Sequence, residues 1–210
     1  MSANETRSVS ALLFLRARPV RSVLLLAVLL GGLTAWLGMR EAPVPTAAPE
    51  ASGVIPMWRL LAMAAAVLPV IALHSRLADL EVVATGRLRS AQRAYLAGMT
   101  GICAAVFLSI SSVMLPPHIL AIMGRSWLAW AGLALLAGVL FGWRLSWTLP
   151  AGTATVLIYW GYGGDGYRWW EFSARPYDDL PSLLLSFALF AIGLFAYAAT
   201  PWRRRHLIHC

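Results

Sequence analysis

Lysine is missing altogether from these 210 residues; all 17 basic side chains are arginine. That absence excludes a nucleotide-gripping loop of the Gly-x-x-x-x-Gly-Lys-Ser/Thr kind, whose lysine must reach the phosphates. Acids are also scarce, with only 9 Asp and Glu in the chain. Charged residues make up 12% of the sequence and hydrophobic ones 60%, whereas a soluble domain usually carries about 25% charge. A chain this poor in polar groups has too few of them to cover a water-facing surface, so lipid must form part of its solvent. Cysteine occurs twice, at Cys103 within an apolar run and at Cys210 in the tail. No disulfide framework or metal-ligand spacing follows from two such positions, and His206, His209 and Cys210 read as a tail rather than a metal site.

What is present is a succession of apolar runs. A bilayer core needs about 20 apolar residues of helix. Six candidates occur, at Val20–Met39, Ile55–His74, Leu96–Leu115, His118–Phe141, Ser146–Tyr162 and Ser182–Thr200. Proline marks several of their ends, at Pro43, Pro116-Pro117 and Pro201, because it cannot continue a helix. The expected fold is therefore an all-α polytopic membrane protein of about six transmembrane helices. It has a cytoplasmic segment over residues 1–19, a bundle over 20–200 and a tail over 201–210. The first run exceeds the roughly 7–15 residues of a signal-peptide core and reads as a retained helix. Residues 116–162 leave two readings open, two full spans or one span and a re-entrant piece.

Arginine placement sets the expected orientation. Arg7, Arg16, Arg18 and Arg21 precede the first run, and Arg76, Arg87, Arg89 and Arg93 separate the second from the third. Arg144 lies between the fourth and fifth, and Arg203, Arg204 and Arg205 follow the sixth. These twelve fall on one side; the opposite loops hold only Arg40, Arg168 and Arg175. The positive-inside rule then places both termini and the loop from His74 to Leu96 in the cytoplasm, in a cell membrane, which requires an even number of spans: six fits best, with four as the fallback. The net charge of +8 is accounted for by this flanking pattern, so no nucleic-acid partner is expected. Trp58, Trp143, Trp147, Trp160, Trp169, Trp170 and Trp202 lie near run ends, where aromatic rings favour the headgroup level.

Four segments are candidates for function. Ser8–Arg21 combines Leu12, Leu13 and Leu15 with three arginines, the pattern of a helix lying on the inner leaflet or of simple orientation signalling. In the inner loop Ser75–Tyr95, Leu77, Leu80 and Val83 recur at helical spacing with Asp79 and Glu81 beside them. Gly86 after Thr85 reads as a C-terminal cap, so the loop predicts a short amphipathic helix suited to docking a partner. The outer loop Gly161–Pro181 joins four glycines to Tyr167, Trp169, Trp170 and Phe172, and reads as an interfacial lid or an aromatic ligand surface. Arg125 falls inside the fourth run, about 12 Å from Pro117 at 1.5 Å per residue. A cation at the bilayer centre costs about 2.5–3.5 kcal/mol, and no acid in the apolar runs can pair with it. It either snorkels outward or faces the bundle as a cavity residue.

These features together resemble the permease subunits of type-2 ABC transporters, the bacterial ABC-2 class. Those have a membrane-surface helix before the first of six spans, a coupling helix between spans two and three, and a structured outer segment between spans five and six. The most specific local match is Asp79-Leu-Glu81-Val-Val-Ala-Thr85-Gly-Arg-Leu-Arg. The resemblance implies an exporter subunit for an apolar or amphipathic substrate, with no catalytic residue, metal or cofactor of its own. ATP would be hydrolysed by a separate soluble ATP-binding cassette subunit. Leu77, Asp79, Leu80, Glu81, Val83, Thr85 and Arg87 would contact that ATPase, and Arg125 would line the cavity. A second permease chain, the same or related, and membrane lipids would complete the assembly. Two alternatives stand beside it: a non-transporting regulatory or assembly subunit, and an intramembrane enzyme. The enzyme would need facing acids, a Ser–His arrangement or a metal cluster. The spans lack these, and Ser109, Ser111 and Ser112 are better explained by helix packing.

Overall fold

The computed structural model describes residues 19–45, 52–73, 86–163 and 166–199. The expected surface helix over residues 8–18, the expected coupling helix over 77–85 and the tail over 201–210 lie outside the described residues, as does the side chain of Arg87. The described chain is mostly helical. Six helices run in order: α1 Val20–Leu37, α2 Met57–Ile71, α3 Gly86–Ser111, α4 Pro117–Phe141, α5 Thr148–Trp160 and α6 Leu180–Ala199. A short 3-10 turn at Trp143–Leu145 joins α4 to α5.

Four of the helices have stretches long and apolar enough to cross a membrane: Val20–Leu37, Gln92–Ser111, Pro117–Phe141 and Leu180–Ala199. Leu25, Leu29 and Trp36 on α1, Ile102 on α3, and Leu184, Phe187 and Phe195 on α6 are exposed. Such faces suit lipid, in which apolar side chains need no cover. The other two helices are shorter. α2 has 15 residues and α5 has 13, about 22 and 20 Å at 1.5 Å per residue.

α4 is the axis of the bundle: 72% of its apolar window is buried, against 17% for that of α6. Its broadest contact is with α6, and α2 packs on another side of it. The α4–α6 approach is close because glycines meet. A Cβ on Gly132 would strike the backbone of Leu189 and Phe190, and one on Gly193 would strike the backbone of Gly132. Ser182, Ser186, Gly193 and Tyr197 form the buried face of α6. Small residues at such a seam let two backbones approach and gain dispersion contact, the main attraction available between helices in lipid.

α3 departs from expectation at its start. Gly86 is the first residue of α3, which therefore runs 10 residues before Leu96; the helix it was expected to cap lies outside the described residues. The basic run Arg87–Arg93 is helical, so the apolar part of α3 is entered from an established helix rather than from a loop.

The helix ends fall into two groups. At one end lie the start of α1, the end of α2, the start of α3, the end of α4 and the end of α6. The other, here the loop end, carries two small antiparallel ribbons. β1 Glu41–Pro45 pairs with β2 Ser52–Pro56 in the register Glu41↔Pro56 and Pro45↔Ser52. Pro43, Pro45 and Pro56 all fall in the same alternate set of pairs, so the ladder can run through the other set without their missing N–H groups. β3 Tyr162–Gly163 pairs with β4 Gly166–Tyr167, with Gly166 at a φ of 128° that side chains rarely adopt. No strand was expected at either place; the prolines and glycines that excluded helix there do not exclude short ribbons.

Candidate functional site

The loop end of the bundle is closed by the segment that follows β4. α5 stops at Trp160, and Gly161 lets the chain turn in tightly: a Cβ there would collide with the carboxylate of Glu171. The segment from Arg168 to Asp179 then folds inward, carrying Glu171, Phe172 and Ser173 to positions at most 2% exposed. Phe172 meets Trp130 of α4 edge to face, with ring centroids 4.8 Å apart. Irregular backbone at this depth must have its polar groups satisfied by protein, since lipid offers none.

Two arginines hold the segment, Arg59 through the segment's side chains and Arg125 through the segment's backbone. Arg59, near the start of α2, donates from Nη2 to Glu171 Oε1 at 2.8 Å and to Ser173 Oγ at 2.7 Å. Its Nε also donates to Ser173 Oγ at 3.2 Å. Ser173 in turn donates from Oγ to Glu171 Oε1 at 2.6 Å, and from its backbone N–H to the same oxygen at 3.2 Å. Arg59 and Glu171 thus form a buried ion pair with a serine hydroxyl bridging its two ends. Charge-assisted bonds of this kind are the stronger class, and neither charge is left without an opposite.

Arg125, on α4, meets no carboxylate. It donates instead to backbone carbonyls: Nη1 to Pro176 at 2.8 Å, and Nη2 to Arg175 at 2.8 Å and to Phe172 at 3.0 Å. Ser126 beside it donates to Ile122 of its own helix at 2.7 Å. The guanidinium therefore serves as a planar set of donors for three backbone carbonyls of the inserted segment. Arg125 does face the bundle, and what it faces is the inserted segment.

The far side of the segment is fastened to α6. Asp179 precedes α6 and accepts from the Ser182 backbone N–H at 2.9 Å and from the Ser182 hydroxyl at 2.5 Å. Arg175 pairs with it at 2.8 Å. Burial alone would raise the Asp179 carboxyl, but the bonds from Ser182 and Arg175 outweigh it and hold the group below its ordinary value. This is a helix N-cap, with Pro181 in the first turn where its missing N–H costs nothing.

The Glu171–Ser173–Arg59 cluster sets a hydroxyl beside a carboxylate, the raw material of nucleophilic chemistry. The space is against it: the void lined by Arg59, Trp130 and Ser173 measures about 10 Å³, room for about one water. The groups hold the segment in place. A larger cavity of about 490 Å³ lies toward the opposite end, and Arg125 is not among its walls.

Of the residues proposed from sequence, the structure brings Arg125 into this site and leaves the inner-loop set outside the described residues. Sequence reasoning missed Arg59, Glu171 and Ser173 as a unit. The signal available was a second arginine inside an apolar run and a glutamate in the aromatic loop; nothing local pairs positions 112 residues apart. Trp58, at the start of α2, is buried at 5% exposure, whereas Trp147, Trp160 and Trp169 are exposed. No family model matches this chain, and neither a curated protein nor a solved structure is significantly similar to it.

Proposed function

We propose that this chain is the membrane-spanning subunit of an ATP-driven exporter of the ABC-2 permease kind, with six spans and both termini in the cytoplasm. The observation that carries the reading is the folded segment between α5 and α6, held by Arg59 and Arg125 so that it closes the outer end of the bundle. An ordered outer segment at this point in the chain is a feature of that permease class. It also accounts for the 13-residue α5: helix and inserted segment together supply the depth that one helix alone would need.

In this reading the arginine-rich side is cytoplasmic. Residues 77–85 then stand between α2 and α3 on the face where a soluble ATPase docks, and Glu81 and Arg87 contact it. Nucleotide-driven closure of two ATPases would move α2 and α3 together. Because α2 carries Arg59, the same motion reaches the outer segment. A second permease chain completes the path for an apolar or amphipathic substrate.

The test is purification of the tagged chain from its native membrane in mild detergent. The expected result is an ATPase with a phosphate-binding loop, recovered in about equal amount and uncoupled from transport by Leu80→Arg. Recovery of a stable, functional chain with no ATPase contradicts the proposal.

A further inference from the structure

α3 and α6 share no substantial contact: α3 packs mainly on α1 and α2, and α6 on α4. Between them, at the end opposite the inserted segment, lies the cavity of about 490 Å³, within the size range of small-molecule sites. Its floor is Val70 of α2 with Ala131 and Leu135 of α4, and its walls include Leu96 on α3 and Phe190 on α6. The lining is apolar almost throughout. Among the described residues its one charged member is Arg93, which is exposed.

The position of that charge is informative. Arg93 is the second residue of the apolar stretch of α3, which begins at Gln92. Across the groove, Tyr197 and Ala198 are among the last residues of α6. The cation thus stands at the level where the apolar surface of both helices ends. From Arg93 to Thr100, and from Ala198 to Phe190, the groove runs about 10–12 Å into the apolar zone at 1.5 Å per residue. A charge at the rim and a largely apolar trough below it match one kind of molecule, an anionic amphiphile. Near a membrane surface the abundant source is an anionic phospholipid, to which a basic residue is attracted.

We propose that this groove seats one acyl chain of an anionic phospholipid, with the lipid phosphate paired to Arg93. The site is independent of the exporter reading; it requires only that the bundle sit in a bilayer. Binding there would fill the gap between α3 and α6 and tie the start of α3 to the membrane surface.

The full chain is reconstituted in phosphatidylcholine vesicles doped with a phosphatidylglycerol bearing a photoreactive acyl chain, and labelled residues are mapped. Phosphatidylcholine with the same acyl chain is the companion probe. The expected result is labelling concentrated at residues 96–100 and 190–198, stronger than on the lipid-facing residues Leu25 and Leu29 of α1, and stronger for the anionic probe. Arg93→Gln should reduce groove labelling by the anionic probe about fivefold and that by the zwitterionic probe, whose choline cation offsets its phosphate, by less. Ala97→Trp, a substitution at an exposed groove residue, should block both. Labelling of α1 in the same samples reports that the variants remain folded in the membrane. Equal labelling of groove and α1, equal labelling by the two probes, or no response to Arg93→Gln overturns the proposal. Groove labelling that emerges only after residues 201–210 are removed also overturns it, since the chain's own tail would then be the occupant.

Discussion

At the scale of the residue, the two arginines solve the same problem differently. Arg59 is matched by a carboxylate, and Arg125 by three carbonyls. Removing one member of a buried ion pair leaves the other charge stranded, at about 3–5 kcal/mol. Arg59→Met and Glu171→Leu should therefore each lower thermal stability in detergent strongly. The double variant, with no charge left to strand, should be more stable than either single one, and a double-mutant cycle measures that coupling. Arg125→Met leaves no charge behind but removes the donor shared by three carbonyls of the inserted segment, at about 1–3 kcal/mol for a carbonyl left buried and unpaired. Arg125→Lys keeps the charge and loses the planar fork, so it should fall between wild type and Met. Protease cleavage within residues 168–179 gives the ranking. Asp179 adds a pH dependence. Its carboxyl is held below the ordinary value, so the stability it contributes is present above the unfolded pKa, about 3.9. That contribution is lost as pH falls through the lower folded value. The stability difference between wild type and Asp179→Asn should accordingly be full near neutrality and vanish in acid, as followed by melting temperature against pH.

At the scale of the element, the seam between α4 and α6 depends on missing side chains. Gly132→Leu places four carbons where the Leu189 and Phe190 backbone now lies, and should cost at least the 1–3 kcal/mol typical of overpacking. Gly98 is the control: it lies within α3, and a Cβ there would meet nothing within 4 Å. Gly98→Ala should be neutral or stabilising by up to about 1 kcal/mol through helix propensity. Denaturation of both variants in detergent checks the pair, and equal responses would contradict the packing described. Elements of this kind were largely legible from the sequence. Long apolar runs closed by Pro116 and Pro201 announce helices because a backbone in lipid must bond to itself. The start of α3 at Gly86 was not legible, since a glycine after Thr85 is equally a helix end and a helix beginning. The inserted segment was visible only as aromatic composition. That Glu171 would meet Arg59 depends on how α2, α4 and α5 pack, and no spacing along the chain encodes it.

At the scale of the whole molecule, the account is of a bundle with unlike ends. One end carries the start of α1 with Arg21, Arg93 of α3, Arg144 and the end of α6, and opens into an apolar groove. The other is covered by two ribbons and a segment drawn inward by Arg59 and Arg125. In the exporter reading proposed above, motion delivered to α2 at the first end would reach the second through the helix that carries Arg59. All of this requires an even number of crossings with the arginine-rich end inside. Site-directed labelling with a membrane-impermeant maleimide, in a chain with Cys103 and Cys210 replaced by serine, tests that most directly. Tyr177→Cys and Val54→Cys should label in intact cells, while Ser2→Cys, Arg144→Cys and His209→Cys should label only after permeabilisation. Termini found on opposite faces, or Arg144→Cys and Tyr177→Cys found on the same face, would contradict the account.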